Sequence, residues 1–183
     1  MNHYLSAVNQ KLFFCNLLLQ QGKLASQESR KEKQSVHLEL ALCQSALYQL
    51  EVGYRHYLRE IAATYQFKTP EILSTADELA SALSNINKHP AEAQEILGLL
   101  EQNNSWLSTL LGAHQQLSSL STQTRSSQVK PSEQTDTLFD SQIAVVEVKQ
   151  LDESVELSHQ ALANWHQSFV EMVNRHRELM VEC

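Results

Sequence analysis

Val36, Leu40, Cys43, Leu47, Leu50, Tyr54, Tyr57 and Ile61 alternate four and three residues apart, the spacing that places every member on one face of an α-helix. The stripe runs for roughly seven turns, and no proline interrupts residues 1–69. A helix of that length with a continuous apolar face must find helical neighbours to cover it. Leu5, Val8, Leu12, Cys15 and Leu19 supply the first. Phe13, Phe14 and Leu18 widen its apolar arc, which predicts a first helix buried on more than one side. The polar stretch 27–35 marks where the two helices join. Leu38, Leu42 and Ala46 add a second stripe to the early half of the long helix, so that end should pack between two neighbours. Gly53, beside the stripe, suits the close approach of another helix. Four glycines and three prolines among 183 residues leave little turn chemistry for a many-stranded sheet, which argues against sandwiches, barrels and Rossmann folds. A chain of this size buries about 70% of its extended surface, enough for one core without disulfide or metal.

Phe67-Lys68-Thr69-Pro70 breaks the long helix, since proline cannot continue its hydrogen-bond ladder. Thr75 to Glu78 has capping-box spacing and precedes Leu79, Ala82, Leu83 and Ile86, a short helix. Another starts at Pro90 with Ala93, Ile96, Leu97 and Leu100, and a third, capped by Asn104 or Ser105, carries Leu107, Leu110, His114 and Leu117. From Ser118 to Thr137, 13 of 20 residues are Ser, Thr or Gln, a composition that reads as a flexible linker. Ile143, Val145, Val146 and Val148 favour an extended chain, yet no partner strand is visible. Asp152 can cap a last helix in which Val155, Leu162, Trp165, Phe169, Met172, His176 and Leu179 repeat at helical spacing. The expectation is an all-α, up-and-down bundle: two long N-terminal helices, shorter middle helices, and a long C-terminal helix that docks back. Residues 1–117 form the bundle, 118–137 the linker, and 138–183 an extended segment plus the helix that completes the same bundle.

The formal charge of −7 is uneven: residues 1–68 carry 8 basic against 5 acidic side chains, 69–124 carry 1 against 6, and 125–183 carry 5 against 10. The densest basic cluster, Arg30, Lys31 and Lys33, alternates with Glu28 and Glu32, a solvated helix face rather than a phosphate footprint. No nucleic-acid partner is expected. Three cysteines, Cys15, Cys43 and Cys183, show no CxxC and no histidine at zinc-finger spacing; Cys15 and Cys43 fall on apolar stripes as small hydrophobes, which fits a reducing cytoplasm. The longest apolar run, 12–19 with Asn16 inside it, is far below the ~20 residues that cross a bilayer. It lacks the small-residue cleavage site of a signal peptide, and Phe stands where a lipoprotein box needs a small residue. Neither a membrane span nor secretion is expected.

Candidate chemical groups are few. Di-iron bundles need two Glu-x-x-His pairs, and only Glu156-Leu157-Ser158-His159 has the spacing; beside the core stripe, it reads better as a surface pair. His159 and His166 lie two turns apart on one face and could clamp a metal, but two solvated imidazoles are the plainer reading. His114 and His176 sit on apolar stripes with no Ser, Cys or carboxylate placed by spacing to form a triad, so both read as satisfied core histidines. Arg30 and His37 match a loose Arg-x(4–6)-His pattern that resembles the ribonuclease motif of HEPN domains. Here Lys31 follows the arginine and the pair spans a loop, so the motif lacks its context. Thr75 to Leu97 could be read as a helix-turn-helix, but Lys88 is the only basic residue between Thr69 and Thr124, which leaves phosphates without partners. There is no glycine-rich phosphate loop.

Several stretches look familiar: Asn9-Gln10-Lys11-Leu12-Phe13-Phe14, Ser105-Trp106-Leu107 with Leu110-Leu111 and Ala113-His114, and an ending with Trp165, Arg175-His176-Arg177-Glu178-Leu179 and Glu182-Cys183. They resemble an uncharacterised family of small helical proteins from gammaproteobacteria that place a variable low-complexity linker before the last helix. The resemblance implies a bacterial, cytoplasmic, mostly helical protein, and carries over no activity, ligand or catalytic residue. Trp106, Trp165 and His114 are expected packing anchors.

These observations assign no catalytic, cofactor-binding or metal residue and imply no cofactor. They favour a non-enzymatic cytoplasmic interaction or accessory bundle. Its partner would be another protein or a second copy, with residues 143–148 covering a groove in their own bundle or in that of the second copy. A bundle binding a small molecule or metal through His114, His176, Glu156 and His159 is the alternative, and a HEPN-like RNA or nucleotide enzyme using Arg30 and His37 the second alternative.

Overall fold

The computed structural model describes residues 3–28, 33–123 and 157–180. Among them are six helices, α1 (His3–Glu28), α2 (Lys33–Thr64), α3 (Ala76–Ser84), α4 (Ala91–Glu101), α5 (Trp106–Gln123) and α6 (His159–Met180), and no strand. The protein is all-α. α1 and α2 form the most extensive pair, running antiparallel so that Gly22 of α1 lies beside Leu42 and Lys11 beside Gly53. α6 lies along both. A Cβ on Gly53 would stand 3.3 Å from Lys11 Cβ and 3.4 Å from Phe169 Cε1, so the glycine does allow the three helices to converge. α3, α4 and α5 close the other side of α2.

Burial of Val8, Leu12, Cys15 and Leu19 from α1, Cys43, Leu47, Leu50, Tyr57 and Ile61 from α2, and Leu162, Trp165, Phe169 and Met172 from α6 makes one continuous core. Trp106 of α5 meets Phe169 of α6 with ring centroids 6.0 Å apart.

Two helices stop by backbone means other than proline. α2 ends at Thr64, where Gln66 takes φ 62° and Phe67 N–H donates to the Ala62 carbonyl at 2.9 Å. α3 closes in the same way through Asn87, φ 55°, and Lys88 N–H to Leu83 O at 2.9 Å. These left-handed caps satisfy carbonyls at the helix ends. Pro70 instead opens a short 3₁₀ turn, Pro70–Ile72. The expected capping box is present, with Glu78 N–H donating to Thr75 Oγ1 and Thr75 N–H to Glu78 Oε2. Ser105 Oγ caps α5 by accepting from Ser108 N–H at 3.0 Å.

Three expectations change. α1 is buried on one side only: Leu5, Phe13, Phe14, Leu17 and Leu24 are exposed, because α2 and α6 cover the same flank and nothing described covers the other. The early half of α2 does not pack between two neighbours, since Leu38 and Leu40 are exposed while Ala46 is buried; the described part of α6 starts at His159, level with Leu42 and Gly22, so α2's first turns project beyond it. α5 continues to Gln123, past its expected end at 117. The rest of the expected linker, the segment holding Ile143 to Val148, and the expected cap Asp152 lie outside the described residues.

Candidate functional site

The densest polar cluster forms where the C-terminal half of α6 meets α2 and α4. His176 is fully buried, as its place on the apolar stripe implies. Its Nδ1 lies 2.6 Å from Tyr57 Oη and its Nε2 3.0 Å from Glu95 Oε2. A carboxylate accepts, so Nε2 carries the proton toward Glu95, and a neutral ring then accepts the Tyr57 O–H at Nδ1. Burial raises the Glu95 pKa, but the hydrogen bond from His176 and the charge and hydrogen bond of Arg175 outweigh it and hold the carboxyl below its usual value. Burial pushes the Tyr57 phenol well up, keeping its proton in place. Spacing alone offers His176 no carboxylate; the fold brings Glu95 from 81 residues away. The Tyr57–His176–Glu95 chain resembles a catalytic relay in composition, yet Tyr57 and His176 have no solvent exposure, so it ties three helices together rather than meeting a substrate.

Beside it, Arg177 grips Glu60 through two hydrogen bonds, Nε to Oε1 at 2.7 Å and Nη2 to Oε2 at 2.8 Å, and reaches Asn9 Oδ1 at 2.8 Å. Glu60 is 2% exposed, a buried carboxylate that needs such a partner. Arg175, on the wet side, pairs with Glu95. Tyr65 O–H donates to Glu92 Oε2 at 3.0 Å, satisfying another buried acid. Glu60 and Glu92 each adjoin a buried stripe residue, Ile61 and Ala93. Acids in such places were the available signal for this network, which reading of the apolar periodicity alone passes over.

His159 and His166 are half-buried rather than fully solvated, and both turn toward α1. Each donates its Nε2–H to a carbonyl of α1, Leu19 O at 2.7 Å and Leu12 O at 3.1 Å. The donors and acceptors share a seven-residue spacing, so the pair staples α6 along α1 in one register. His114 is not a core histidine. It is half-buried on α5, with its ring centroid 6.5 Å from that of the exposed Tyr48. His114, His159 and His176 therefore do not converge on one lining, and no three His, Cys, Asp or Glu side chains gather as a metal site among the described residues. Glu156, Arg30 and Cys183 lie outside the described residues, while His37 is exposed on α2. Cys15 and Cys43 are buried and unpaired; burial lifts the Cys15 thiol to about 12. No described helix is long and apolar enough to cross a membrane.

The outward side of α1 is apolar and exposed. Gln10, Phe13, Leu17, Gln20 and Leu24 alternate three and four residues apart and are all exposed, Phe13 at 57%, Leu17 at 41% and Leu24 at 51%. Phe14 flanks them beneath the Lys11 ammonium, which lies 5.9 Å from the ring centroid. Between His3 and Gln27 the only formal charges are Lys11 and Lys23.

A helical bundle with a closed polar interior and one helix apolar on both sides is the class these features define. Within that class the chain belongs to a family of unknown function, DUF6586, which matches residues 1–183. No curated protein and no solved structure matches it.

Proposed function

We propose that this protein is a non-enzymatic interaction bundle of the bacterial cytoplasm that assembles through the outward face of α1, first of all with a second copy of itself. The observation that carries the reading is the uncharged ladder Gln10, Phe13, Leu17, Gln20, Leu24. Phe13, Phe14, Leu17 and Leu24 together expose roughly 350 Å², the scale on which apolar patches of folded proteins become interaction sites. Heptad spacing along about 21 Å of helix suits knobs-into-holes packing on another helix. The charge pattern favours a like partner. A chain of net charge −7 repels its copy over most of its surface, whereas a face without acidic groups meets its own image under two-fold symmetry with little repulsion. Gln10 and Gln20 would pair across the seam and set its register, as polar residues do at such positions. The buried, unpaired Cys15 and Cys43 support a reducing compartment.

Sedimentation of the purified chain over a range of concentrations tests this. The wild type is expected to sediment as a dimer and Leu17→Glu as a monomer with an unchanged helical circular-dichroism spectrum. A wild type that stays monomeric at its highest soluble concentration, or a Leu17→Glu protein that still dimerises, overturns the proposal.

A further inference from the structure

A second region carries a separate inference, independent of the α1 face. Between α2, the start of α3, the end of α4 and the middle of α5 lies a cleft of about 530 Å³, within the range that holds small ligands. Glu51, Tyr54 and Arg55 of α2, Asp77 of α3, Leu100 of α4 and Leu111 of α5 are among its lining. Tyr54 is 3% exposed and its hydroxyl has no hydrogen-bond partner among the described residues. Buried phenols normally find one, and the neighbouring Tyr57 and Tyr65 both do. Glu51 is buried and, among the described residues, held by one cation, the half-exposed Arg55. Asp77 makes no ion pair among the described residues.

Two carboxylates face one guanidinium here, and the surrounding segment 69–124 has six acidic side chains against Lys88 alone. That field draws cations toward the cleft. An anion finds less. At the start of α3 the capping box takes up the Glu78 amide through Thr75 Oγ1 and sets the Glu78 carboxylate over the Ser74 and Thr75 amides, and Arg55 is already turned to Glu51. We propose that this cleft is a binding site for a small organic cation, an aliphatic amine whose ammonium is held by Glu51, Asp77 and the Tyr54 hydroxyl oxygen and whose hydrocarbon lies on Leu100 and Leu111. Arg55, exposed enough to swing aside, yields Glu51 to the incoming ammonium.

The test is titration calorimetry on the full chain with 1,4-diaminobutane, against 1,4-butanediol and succinate as neutral and anionic four-carbon controls. The diamine should bind and the controls should not. A hydrogen bond to a charged group is worth about tenfold or more in affinity, so Tyr54→Phe and Asp77→Asn should each weaken diamine binding by about that factor. Asp77 is exposed, so Asp77→Asn reads binding without disturbing the core. Absence of diamine binding, equal binding of the diol, preference for succinate, or a diamine affinity indifferent to both substitutions overturns the proposal.

Discussion

α1 and α6 lie side by side along α2, and each carries an apolar stripe at helical spacing, yet they treat their remaining surface in opposite ways. α6 turns its polar residues inward: His159 and His166 reach carbonyls of α1, His176 reaches Tyr57 and Glu95, and Arg177 reaches Glu60 and Asn9. α1 meets these contacts with the Leu12 and Leu19 carbonyls and the Asn9 side chain, and leaves Phe13, Leu17 and Leu24 exposed. Apolar burial is non-directional and fixes that a helix docks; the polar contacts of α6 fix where. α6 is thereby locked in one register, while α1 keeps an exposed apolar face.

The largest effect that sharpens this contrast is at Arg177. Removing one partner of a buried ion pair leaves the other uncompensated, at a cost of about 3–5 kcal/mol. Arg177→Ala should lower stability in urea by that amount because Glu60 is 2% exposed. Arg175→Ala, two residues away, should lose no more than about 1 kcal/mol, because its pair with Glu95 stands largely in water. Equal losses would mean that α6 is held by its apolar stripe alone.

How much of this was legible in the sequence divides along the same line. Periodicity is a local property, and Val8, Leu12, Cys15, Leu19, Leu47, Tyr57, Phe169 and Met172 all lie in the core where their spacing puts them. The helix boundaries at Thr75 and Ser105 were equally readable, because caps are made by neighbours in the chain. Partners of His176 were not. Tyr57 and Glu95 stand 119 and 81 residues away, and no spacing rule relates one helix's polar residues to another's. The expectation of a first helix buried on more than one side fails at Phe13 and Phe14 for a related reason: a wide apolar arc states how much surface wants cover, not whether the chain itself supplies it. For the candidate cleft, Asp77 was visible only as a capping-turn residue, and the unsatisfied Tyr54 hydroxyl is a fact of packing alone.

A smaller effect is expected at Tyr57. Tyr57→Phe removes the hydroxyl that donates to His176 Nδ1 and leaves that nitrogen buried without a partner, a loss of about 1–3 kcal/mol. The T-shaped contact of the ring with Phe169 survives the substitution, so a shift in the urea midpoint reports the hydrogen bond. A midpoint unchanged from wild type would show that the buried chain contributes nothing to holding α6 in place.

The smallest effect concerns acid. Burial lowers the His166 pKa below its ordinary 6.5, only partly offset by the hydrogen bond to Leu12, and His56 is lowered too, by burial first and then by the positive charges of Arg59, Lys11 and His3. In each case the unfolded chain takes up the proton at a higher pH than the folded one. Unfolding therefore binds protons as pH falls below 6.5, and stability declines from there. Glu95, held below its usual 4.5, adds a second decline as pH drops through its lowered folded value. His166→Gln keeps an N–H that can reach Leu12 O and cannot titrate. It should flatten the first decline without removing the second, as read from urea midpoints across the two windows. An unchanged first decline would assign acid sensitivity to His56 alone. The contact between α6 and α1 at Leu12 would then hold through protonation of His166, whose Nε2–H still donates to the carbonyl when the ring is charged.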